Sequence, residues 1–299
     1  MMLQVGSLQY GVIFKKAFCD KEIFKPFIDD FFGIDIVIDK VETEKSYDPS
    51  VGFVNCRFDL YAEDPVNRII LDIQHVRHFD HYHRFLHYHC AALLEQVKTS
   101  NDYFPKQKVF TLVVLTSGDK YKTDVSVIDF DPKDLQGNPL DEIHHRIIYV
   151  CPKYVNKNTP EPYRQWLTAI NDSLDEEVDE SQYDRPEIKK IFEHIQKDLI
   201  TPTERAEMID EYSFSLLEKA AIEKGIKKGM EKGMEKGMEK GMEKGMEKGM
   251  EKGMEKGMEK AMREIAKNML SAQNLSYQQI STLTGLSVDK VDELSIANE

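Results

Sequence analysis

Two aspartates thirteen residues apart, Asp59 and Asp72, are the side chains of this sequence best placed to do chemistry. Each lies in an apolar run, and the two runs flank a polar turn, which predicts a β-hairpin. Side chains alternate along a strand, so Asp72 and Gln74 share one face while Ile73 points into the core. If the hairpin forms, the two carboxylates meet across adjacent strands, where they can hold a hard divalent cation such as Mg²⁺.

The strand that carries Asp72 is predicted to be buried on both faces, because the acid sits in an apolar run from Ile69 to Ile73. A charge inside such a run is costly unless a partner compensates it. Acids near a hairpin turn are more often simply solvated, so the spacing alone leaves this ordinary alternative open.

An acid followed on the next strand by Asp/Glu-x-Lys/Gln resembles the motif of the PD-(D/E)XK nuclease superfamily. More narrowly, the chain resembles the bacterial family of recombination-promoting nucleases and transposases, in which Gln often replaces the lysine, as Gln74 does here. Further elements follow in that family's order from residue 8 to residue 150, with weaker similarity onward. These are the opening helix at 14–18, Phe79-Asp80, the R-x-x-x-Y element of Arg84 and Tyr88, Leu93-Leu94-Glu95-Gln96, Tyr103-Phe104-Pro105 and the strand at 109–115.

The resemblance implies an α/β fold with a restriction-endonuclease-like mixed-sheet core and flanking helices. It implies a DNA endonuclease that uses Mg²⁺, with Mn²⁺ as a substitute. The metal ligands would be the carboxylates of Asp59 and Asp72 and the backbone carbonyl of Ile73, and Gln74 would orient the attacking water. The resemblance also suggests Glu22, on the first helix, as an accessory carboxylate.

Three more residues are candidates for accessory roles. Arg84 and Tyr88 lie one helical turn apart, so Arg84 could clamp a phosphate or brace a carboxylate, while Tyr88 could equally be a core aromatic. His75 directly follows Gln74 and is the histidine best placed for a catalytic or substrate role. Two departures from the family pattern, Asp72 in place of Glu and Phe58 in place of Pro, keep a catalytically inactive relative in consideration.

Six of the nine histidines fall between His75 and His89. His83 and His87 have the spacing to share a zinc ion, but a structural zinc site needs four ligands and only Cys90 is near. Histidines that line the helix surface or the mouth of the active site are the favoured interpretation.

Composition limits the function classes. The net charge of −13 is poor for non-specific DNA binding, so a nuclease would need a local basic rim. The candidates for this rim are Lys15, Lys16, Arg77, Arg84, Lys106 and Lys108. Four scattered cysteines, no secretory signal before the core and no apolar run of membrane-spanning length predict a soluble, cytoplasmic protein with no membrane partner.

Periodicity and composition divide the chain into four parts: a nuclease core at 1–155, a helical extension at 156–222, a low-complexity spacer at 223–260 and a small module at 261–299. In the core we predict a helical face at 14–32 interrupted near Pro26, strands at 34–41, 52–62 and 68–74, a helix at 79–98, and strands at 109–115, 125–130 and 147–150. The extension should hold an amphipathic helix after Pro162 and helices at 186–199 and 203–219, the last capped by Thr203.

The spacer repeats Gly-Met-Glu-Lys eight times between Gly229 and Lys260. Its period of four residues does not match the 3.6 residues of a helical turn, so the methionines spiral instead of forming a seam. Glycine at every fourth position further weakens a helix. We expect a marginal helix or a flexible spacer.

The last part of the chain resembles a helix-turn-helix, with Ser276 and Ser287 at predicted N-caps and Gly285 in the turn. Its second helix, 287–294, carries three acids and a single base, Lys290, so a packing or homo-oligomerisation role is at least as plausible as DNA reading. Two hypotheses therefore remain: a metal-dependent DNA endonuclease linked to recombination or mobile elements, and a catalytically inactive DNA- or protein-binding relative that uses the same fold as a scaffold.

Overall fold

A computed structural model of the chain describes residues 2–47, 56–75, 81–97 and 103–296. Positions 52–55 of the predicted hairpin, positions 79, 80 and 98 of the predicted helix, and Arg77 and His78 lie outside these ranges. The structure forms two units, Met1–Lys219 and Ala220–Glu299, and each is described on its own.

A six-stranded mixed sheet organises the first unit. The strands are β2 Glu42–Tyr47, β3 Cys56–Glu63, β4 Asn67–Gln74, β5 Lys108–Leu115, β6 Val125–Asp129 and β7 Arg146–Val150. Their order in the sheet is β2-β3-β4-β5-β7-β6. The β3–β4 pair is the predicted antiparallel hairpin, whereas β5 lies parallel to β4.

This sheet is flanked by the helices α1 Gly11–Phe18, α2 Lys21–Phe32, α3 His81–Leu94, α4 Tyr163–Asp172 and α5 Pro186–His194. A small antiparallel pair of strands, β1 Met2–Gln4 and β8 Glu177–Asp179, joins the start of the first unit to the segment after α4. Short 3-10 turns lie at Pro152–Tyr154, Ser173–Asp175, Glu180–Gln182 and Lys197–Leu199.

The sheet is covered on both faces, as the apolar runs predicted. One face packs with α1, α2, α4 and α5 around Phe27 and Trp166, whose rings meet edge to face. The other face packs against α3 through Phe85 and Tyr88. Along β4, Ile69 and Leu71 belong to the first core and Ile70 to the second, so the strand is buried on both sides.

The turn between β3 and β4 is fixed by Asp64. Its Oδ1 accepts the N–H groups of Val66 and Asn67 at 2.7 and 2.6 Å, the arrangement by which aspartate stabilises a turn. This local closure sets the register of the hairpin and therefore the relative position of Asp59 and Asp72.

Three predictions in this unit were wrong. Residues 34–41 form no strand: burial alternates at Ile36 and Ile38, but the segment pairs with no strand in the described ranges. Alternating burial shows that one side of a segment faces the core, but a strand also needs a neighbouring strand with which to form hydrogen bonds.

The second wrong prediction concerns the first helical face. It breaks at Cys19-Asp20 and not at Pro26, which lies inside α2.

The third error concerns the cap of α6, which runs from Pro202 to Ser271. Thr201, not Thr203, caps it: Glu204 N–H donates to Thr201 Oγ1 at 3.2 Å, and the Glu204 carboxylate accepts the Thr201 N–H at 2.7 Å. This reciprocal pair is a capping box two residues earlier than predicted.

The Gly-Met-Glu-Lys repeat is helical throughout, as part of the 70 residues of α6. Its methionines are largely exposed, so neighbouring side chains do not hold the helix together. Extending an existing helix costs much less than starting one, which explains why the repeat continues the capped helix despite its glycines.

The second unit ends in two short helices, α7 Tyr277–Thr284 and α8 Val288–Ile296. Ser276 caps α7 in a capping box with Gln279, and Gly285 ends it in the left-handed region, as predicted. A small core of Ala266, Ile280, Leu286 and Val291 joins the end of α6 to α7 and α8. Its likeness to a helix-turn-helix stays a prediction, as does the four-part division. None of the helices in the described ranges is long and apolar enough to cross a membrane.

His89, on α3, is a buried neutral histidine in the second core. Its Nδ1 lies 2.8 Å from Thr111 Oγ1, and its ring stacks on Phe130 at 5.0 Å between centroids. Burial and the neighbouring His145 lower the pKa of His89 from 6.5 to about 3.

Replacing glycines of the repeat with alanine should strengthen α6. Gly241→Ala with Gly245→Ala adds no contact within 4 Å, and each change should stabilise the helix by about 1 kcal/mol. Circular dichroism at 222 nm during heating should show a more stable helical signal. The control is Gly137→Ala, which should destabilise because Gly137 has a φ of 89°. An unchanged melt in the double variant would contradict the continuous helix.

Acidification should destabilise the fold through His89. The unfolded chain binds a proton at this position below pH 6.5, while the folded chain resists it down to about pH 3. The contribution of neutral His89 is thus complete above pH 6.5 and falls as the pH drops, by about 2 kcal/mol at pH 5. Urea unfolding at pH 7 and pH 5 should show a smaller loss for His89→Gln than for the wild type. His87→Gln, exposed on the same helix, should behave like the wild type. Equal losses in all three proteins would rule this out.

Candidate active site

Asp59 and Asp72 meet as the hairpin predicts, and two reciprocal hydrogen bonds join them. The Asp59 N–H donates to Asp72 Oδ1 at 3.1 Å, and the Ile73 N–H donates to Asp59 Oδ2 at 2.9 Å. Each carboxylate is therefore held by the backbone of the opposite strand. Backbone N–H groups thus orient both acids.

Asp72 is the more deeply buried of the two acids, with 4% of its surface exposed. Its Oδ2 is buried and has no hydrogen-bond partner in the described part of the chain. Burial and the adjacent charge of Asp59 raise the pKa of Asp72 well above its usual range. Burial also raises the pKa of Asp59, although the Ile73 N–H and the charge of Lys15 oppose the shift. For both acids, burial thus outweighs the nearby positive charges of Lys15 and Arg84.

The acids open into a cavity of about 520 Å³, called here the catalytic cavity. Residues of β3, β4, α1, α3 and α6 contribute to its walls. It is lined by Gln9, Tyr10, Gly11, Lys15, Arg57, Asp59, Asp72, Ile73, Gln74, His75, Arg84, Phe85, Glu211, Tyr212, Phe214, Ser215, Glu218 and Lys219. The structure therefore brings together most of the site residues that the sequence suggested.

Gln74, Arg84 and Tyr88 form a chain of polar contacts at one wall. Arg84 Nη1 lies 3.4 Å from Gln74 Oε1, and Arg84 Nε lies 3.3 Å from the Tyr88 hydroxyl. Tyr88 is buried in the core on the α3 side and does not line the cavity, so it positions Arg84. Arg84 thereby places a positive charge next to the uncharged Gln74.

His75 lies in the same cavity, at the end of β4. Its Nδ1 lies 3.0 Å from Thr116 Oγ1, which fixes the ring. Burial and the charge of Lys219 lower the pKa of His75 and favour the neutral imidazole. The other ring nitrogen, Nε2, can either donate or accept one hydrogen bond in the neutral imidazole, depending on the tautomer.

Glu44, on β2, neutralises two of the cations that line the cavity. It forms ion pairs with both Lys15 and Arg57. Although burial opposes ionisation, these two cations keep the pKa of Glu44 below its usual value. Its φ of 57° lies in the left-handed region, a sparsely populated conformation for glutamate.

Glu211, on α6, is the most informative residue that the sequence analysis missed. Its Oε2 accepts the N–H of Gly11, the first residue of α1, at 2.9 Å. Tyr10, the local N-cap residue of α1, offers no side-chain cap, so Glu211 supplies it from 200 residues away. Burial is the main cause of the raised pKa of Glu211, and Asp59 adds to it. No local pattern marks this contact, because only the fold joins the two segments.

Glu22 is a correction to the predicted site. It lies on α2 with 71% of its side chain exposed, forms an ion pair with Lys190 and does not line the catalytic cavity. Its predicted place as an additional acid in the cavity is taken by Glu211.

Only part of the predicted basic rim lies at the cavity. Lys15 and Arg84 line it, whereas Lys16 binds Glu204 and the Leu199 carbonyl. Lys108 lies at the start of β5, paired with Asn67 at the opposite end of β4 from Gln74, and Lys106 does not line the cavity either.

The donor set fits a hard divalent cation. Carboxylate oxygens are available from Asp59 and from Asp72, whose Oδ2 has no partner in the described part of the chain, and Ile73 lines the same cavity. Within the described ranges, no three His, Cys, Asp or Glu side chains come close enough to share a metal ion. Water or a substrate phosphate would therefore complete the coordination. The same observation gives no support to a zinc site at His83, His87 and Cys90.

Comparison with known proteins agrees with this architecture. The family model for PD-(D/E)XK nuclease family transposases matches residues 11–225, from the start of α1 into α6. The match covers more than half of the chain and includes the hairpin acids together with Glu211. No curated protein and no solved structure gives a significant match.

The six-stranded mixed sheet with flanking helices is the predicted restriction-endonuclease-like α/β core. Together, the sheet, the acid pair on its central hairpin and the extent of the match establish the family. The chain belongs to the PD-(D/E)XK nuclease family of transposases.

Proposed function

We propose that this protein hydrolyses phosphodiester bonds of DNA as a metal-dependent endonuclease, in the service of recombination or a mobile element. The observation that carries the proposal is the buried Asp72 Oδ2, which has no partner in the described part of the chain and belongs to a pair of carboxylates whose pKa values are both raised. A buried pair of acids is stable only when a cation or a proton compensates it.

Asp59, Asp72 and the Ile73 carbonyl would hold Mg²⁺, for which Mn²⁺ is a substitute, since all three are oxygen donors. When bound, the ion lowers the pKa of a coordinated water and offsets the charge that develops on the phosphate. The reciprocal hydrogen bonds keep both carboxylates in place for this task before any ligand arrives.

In place of the superfamily's lysine, Gln74 would orient the attacking water and Arg84 would supply the positive charge. Gln74 can hydrogen-bond to the attacking water but carries no charge. Arg84, 3.4 Å from Gln74, supplies a permanent charge for a non-bridging phosphate oxygen. His75, held by Thr116, can hydrogen-bond to the substrate without adding charge.

The four cysteines support a cytoplasmic location, which is part of the proposal. Cys19, Cys56, Cys90 and Cys151 are free thiols. Unpaired thiols fit a reducing compartment.

One observation favours a second candidate function. Glu44 pairs with Lys15 and Arg57, and the net charge of the chain is −13, so few cations near the cavity are available to DNA phosphates. On this alternative, the chain is a catalytically inactive DNA- or protein-binding relative, and the C-terminal module serves to assemble a homo-oligomer.

Plasmid cleavage distinguishes the two functions. Purified full-length protein should nick supercoiled DNA with Mg²⁺ or Mn²⁺, and Asp59→Ala or Asp72→Ala should each reduce the rate by at least about 100-fold, because each removes a ligand. Glu22→Gln is the matched control, because it removes a carboxylate outside the catalytic cavity. Its rate should equal that of the wild type. No nicking by folded wild-type protein, or nicking that survives both alanine variants, would favour the inactive relative.

Thermal melting tests the cation site without any cleavage. In metal-free buffer at pH 7, Asp72→Asn should stabilise the protein by about 1–3 kcal/mol, because it relieves the repulsion between the two acids and the cost of burying the second one. This should raise the Tm by about 2–4 °C per kcal/mol.

Added Mn²⁺ should then raise the Tm of the wild type but not of Asp72→Asn, since a ligand stabilises the state that binds it. Glu207→Gln, an exposed change on α6, should follow the wild type in both conditions. A Mn²⁺ shift of equal size in Asp72→Asn would place the cation elsewhere.

A further inference from the structure

A second cavity of about 280 Å³ adjoins the catalytic cavity and is called here the side pocket. It is lined by Tyr10, Arg205, Met208, Ile209 and Tyr212. Tyr10 and Tyr212 line both cavities, so the two tyrosines form the wall between them. The side pocket thus lies next to the cavity where a scissile phosphate would lie.

The two tyrosines are held together by the backbone around them. Tyr10 directly precedes Gly11 and Tyr212 directly follows Glu211, and the Gly11 N–H donates to the Glu211 carboxylate at 2.9 Å. This contact between α1 and α6 therefore places both rings at the mouth of the catalytic cavity. Tyr212 remains 53% exposed.

Among the described residues, Arg205 is the one charged side chain that lines the side pocket, and its guanidinium already forms hydrogen bonds. Nη2 donates to the Lys197 carbonyl at 2.9 Å, and Nε donates to the Ile200 carbonyl at 3.3 Å. A guanidinium held this way offers a flat face for stacking. The pocket therefore presents flat and apolar surfaces next to a site built for a phosphodiester.

From this arrangement we propose that the side pocket binds an unpaired nucleobase of the DNA strand whose phosphate enters the catalytic cavity. The substrate class is then DNA with an unpaired nucleotide beside the cleaved bond, which includes single strands and frayed ends. This inference rests on the proposed nuclease function and specifies its substrate.

The chemistry of bases supports this occupant. A base is joined to its phosphate through one sugar, so a strand anchored at Asp59 and Asp72 brings a base to the adjoining wall. In an intact duplex, neighbouring base pairs cover the base faces, and a tyrosine ring can stack only on a base that has left the stack.

The net charge of the protein also supports a stacked base as the occupant of the side pocket. With a net charge of −13, and with Lys15 and Arg57 paired to Glu44, affinity from phosphate contacts is limited. Stacking on aromatic rings adds affinity that does not depend on phosphate contacts. The exposed ring of Tyr212 is the side chain best placed to provide it.

The test is equilibrium binding of 2-aminopurine oligonucleotides to the full-length chain carrying Asp72→Asn, which removes a proposed metal ligand and so prevents cleavage. Stacking quenches this fluorophore. Single-stranded DNA should bind more tightly than the matched duplex and show quenching at one position of the probe. Adding Tyr212→Ala should weaken single-strand binding by about tenfold and abolish the quenching, whereas Tyr212→Phe should retain both.

Tyr121→Ala is the matched control, since Tyr121 is exposed and lines neither cavity. It should bind like the parent protein. Equal affinity for single strand and duplex, or an equal loss for both in Tyr212→Ala, would overturn the proposal.

The binding test is independent of the cleavage test. If the wild type cleaves DNA but Tyr212→Ala alters neither binding nor quenching, the inference fails and the nuclease function stands. If Tyr212-dependent quenching occurs but no folded protein cleaves DNA, the nucleobase site stands and the nuclease function fails.

Discussion

Each acid of the β3–β4 hairpin accepts a hydrogen bond from the backbone of the opposite strand, and the site depends on this exchange. Asp59 and Asp72 carry like charges and would separate if their side chains were free to move. The N–H groups of Asp59 and Ile73 prevent this separation, at 3.1 and 2.9 Å. Because β4 lies between β3 and β5 and is buried on both faces, the hairpin cannot shift register without exposing its core residues. The fold thus keeps an arrangement that electrostatics alone would oppose.

The charges around the cavity explain how such a site can exist in an acidic protein. Asp59, Asp72 and Glu211 all have raised pKa values, with burial as the main cause. Three of the cations that line the cavity already have partners. Lys15 and Arg57 form ion pairs with Glu44. Arg84 contacts Gln74 and Tyr88. The charges of the cavity therefore suit a small, highly charged cation, whereas within the described ranges they offer no extended basic surface to DNA phosphates. This division reconciles a net charge of −13 with membership in a nuclease family.

The sequence predicted the parts of the site that local pattern determines. Asp59, Asp72 and Gln74 belong to one hairpin, and Arg84 follows on the next helix, so alternation, spacing and the family resemblance together selected these residues. Glu211 and Tyr212 could not be predicted, because they reach the cavity only through the docking of α6 on α1. Glu22 shows the opposite error, since a resemblance can place a residue on the correct helix without giving the direction of its side chain.

The same contrast applies to the fold. The central strands and α3 were predictable because their apolar runs are long and regular, whereas β2 was missed because its sequence is polar and only its pairing with β3 makes it a strand. Residues 34–41 have the alternation of a strand but lack a partner. The repeat was judged from intrinsic propensity, which underestimates a helix that begins at a strong cap and is then extended.

The contact between Gly11 and Glu211 also means that the catalytic cavity is completed late during synthesis of the chain. The two residues are 200 positions apart, so both hairpin acids leave the ribosome well before the segment that completes the cavity wall. A nascent or truncated chain that ends before α6 contains Asp59 and Asp72 but lacks Glu211 and Tyr212. Incomplete products of translation would thus carry the acids without the surface proposed to receive a base, and the full set of contacts to DNA would exist only in chains that extend through α6.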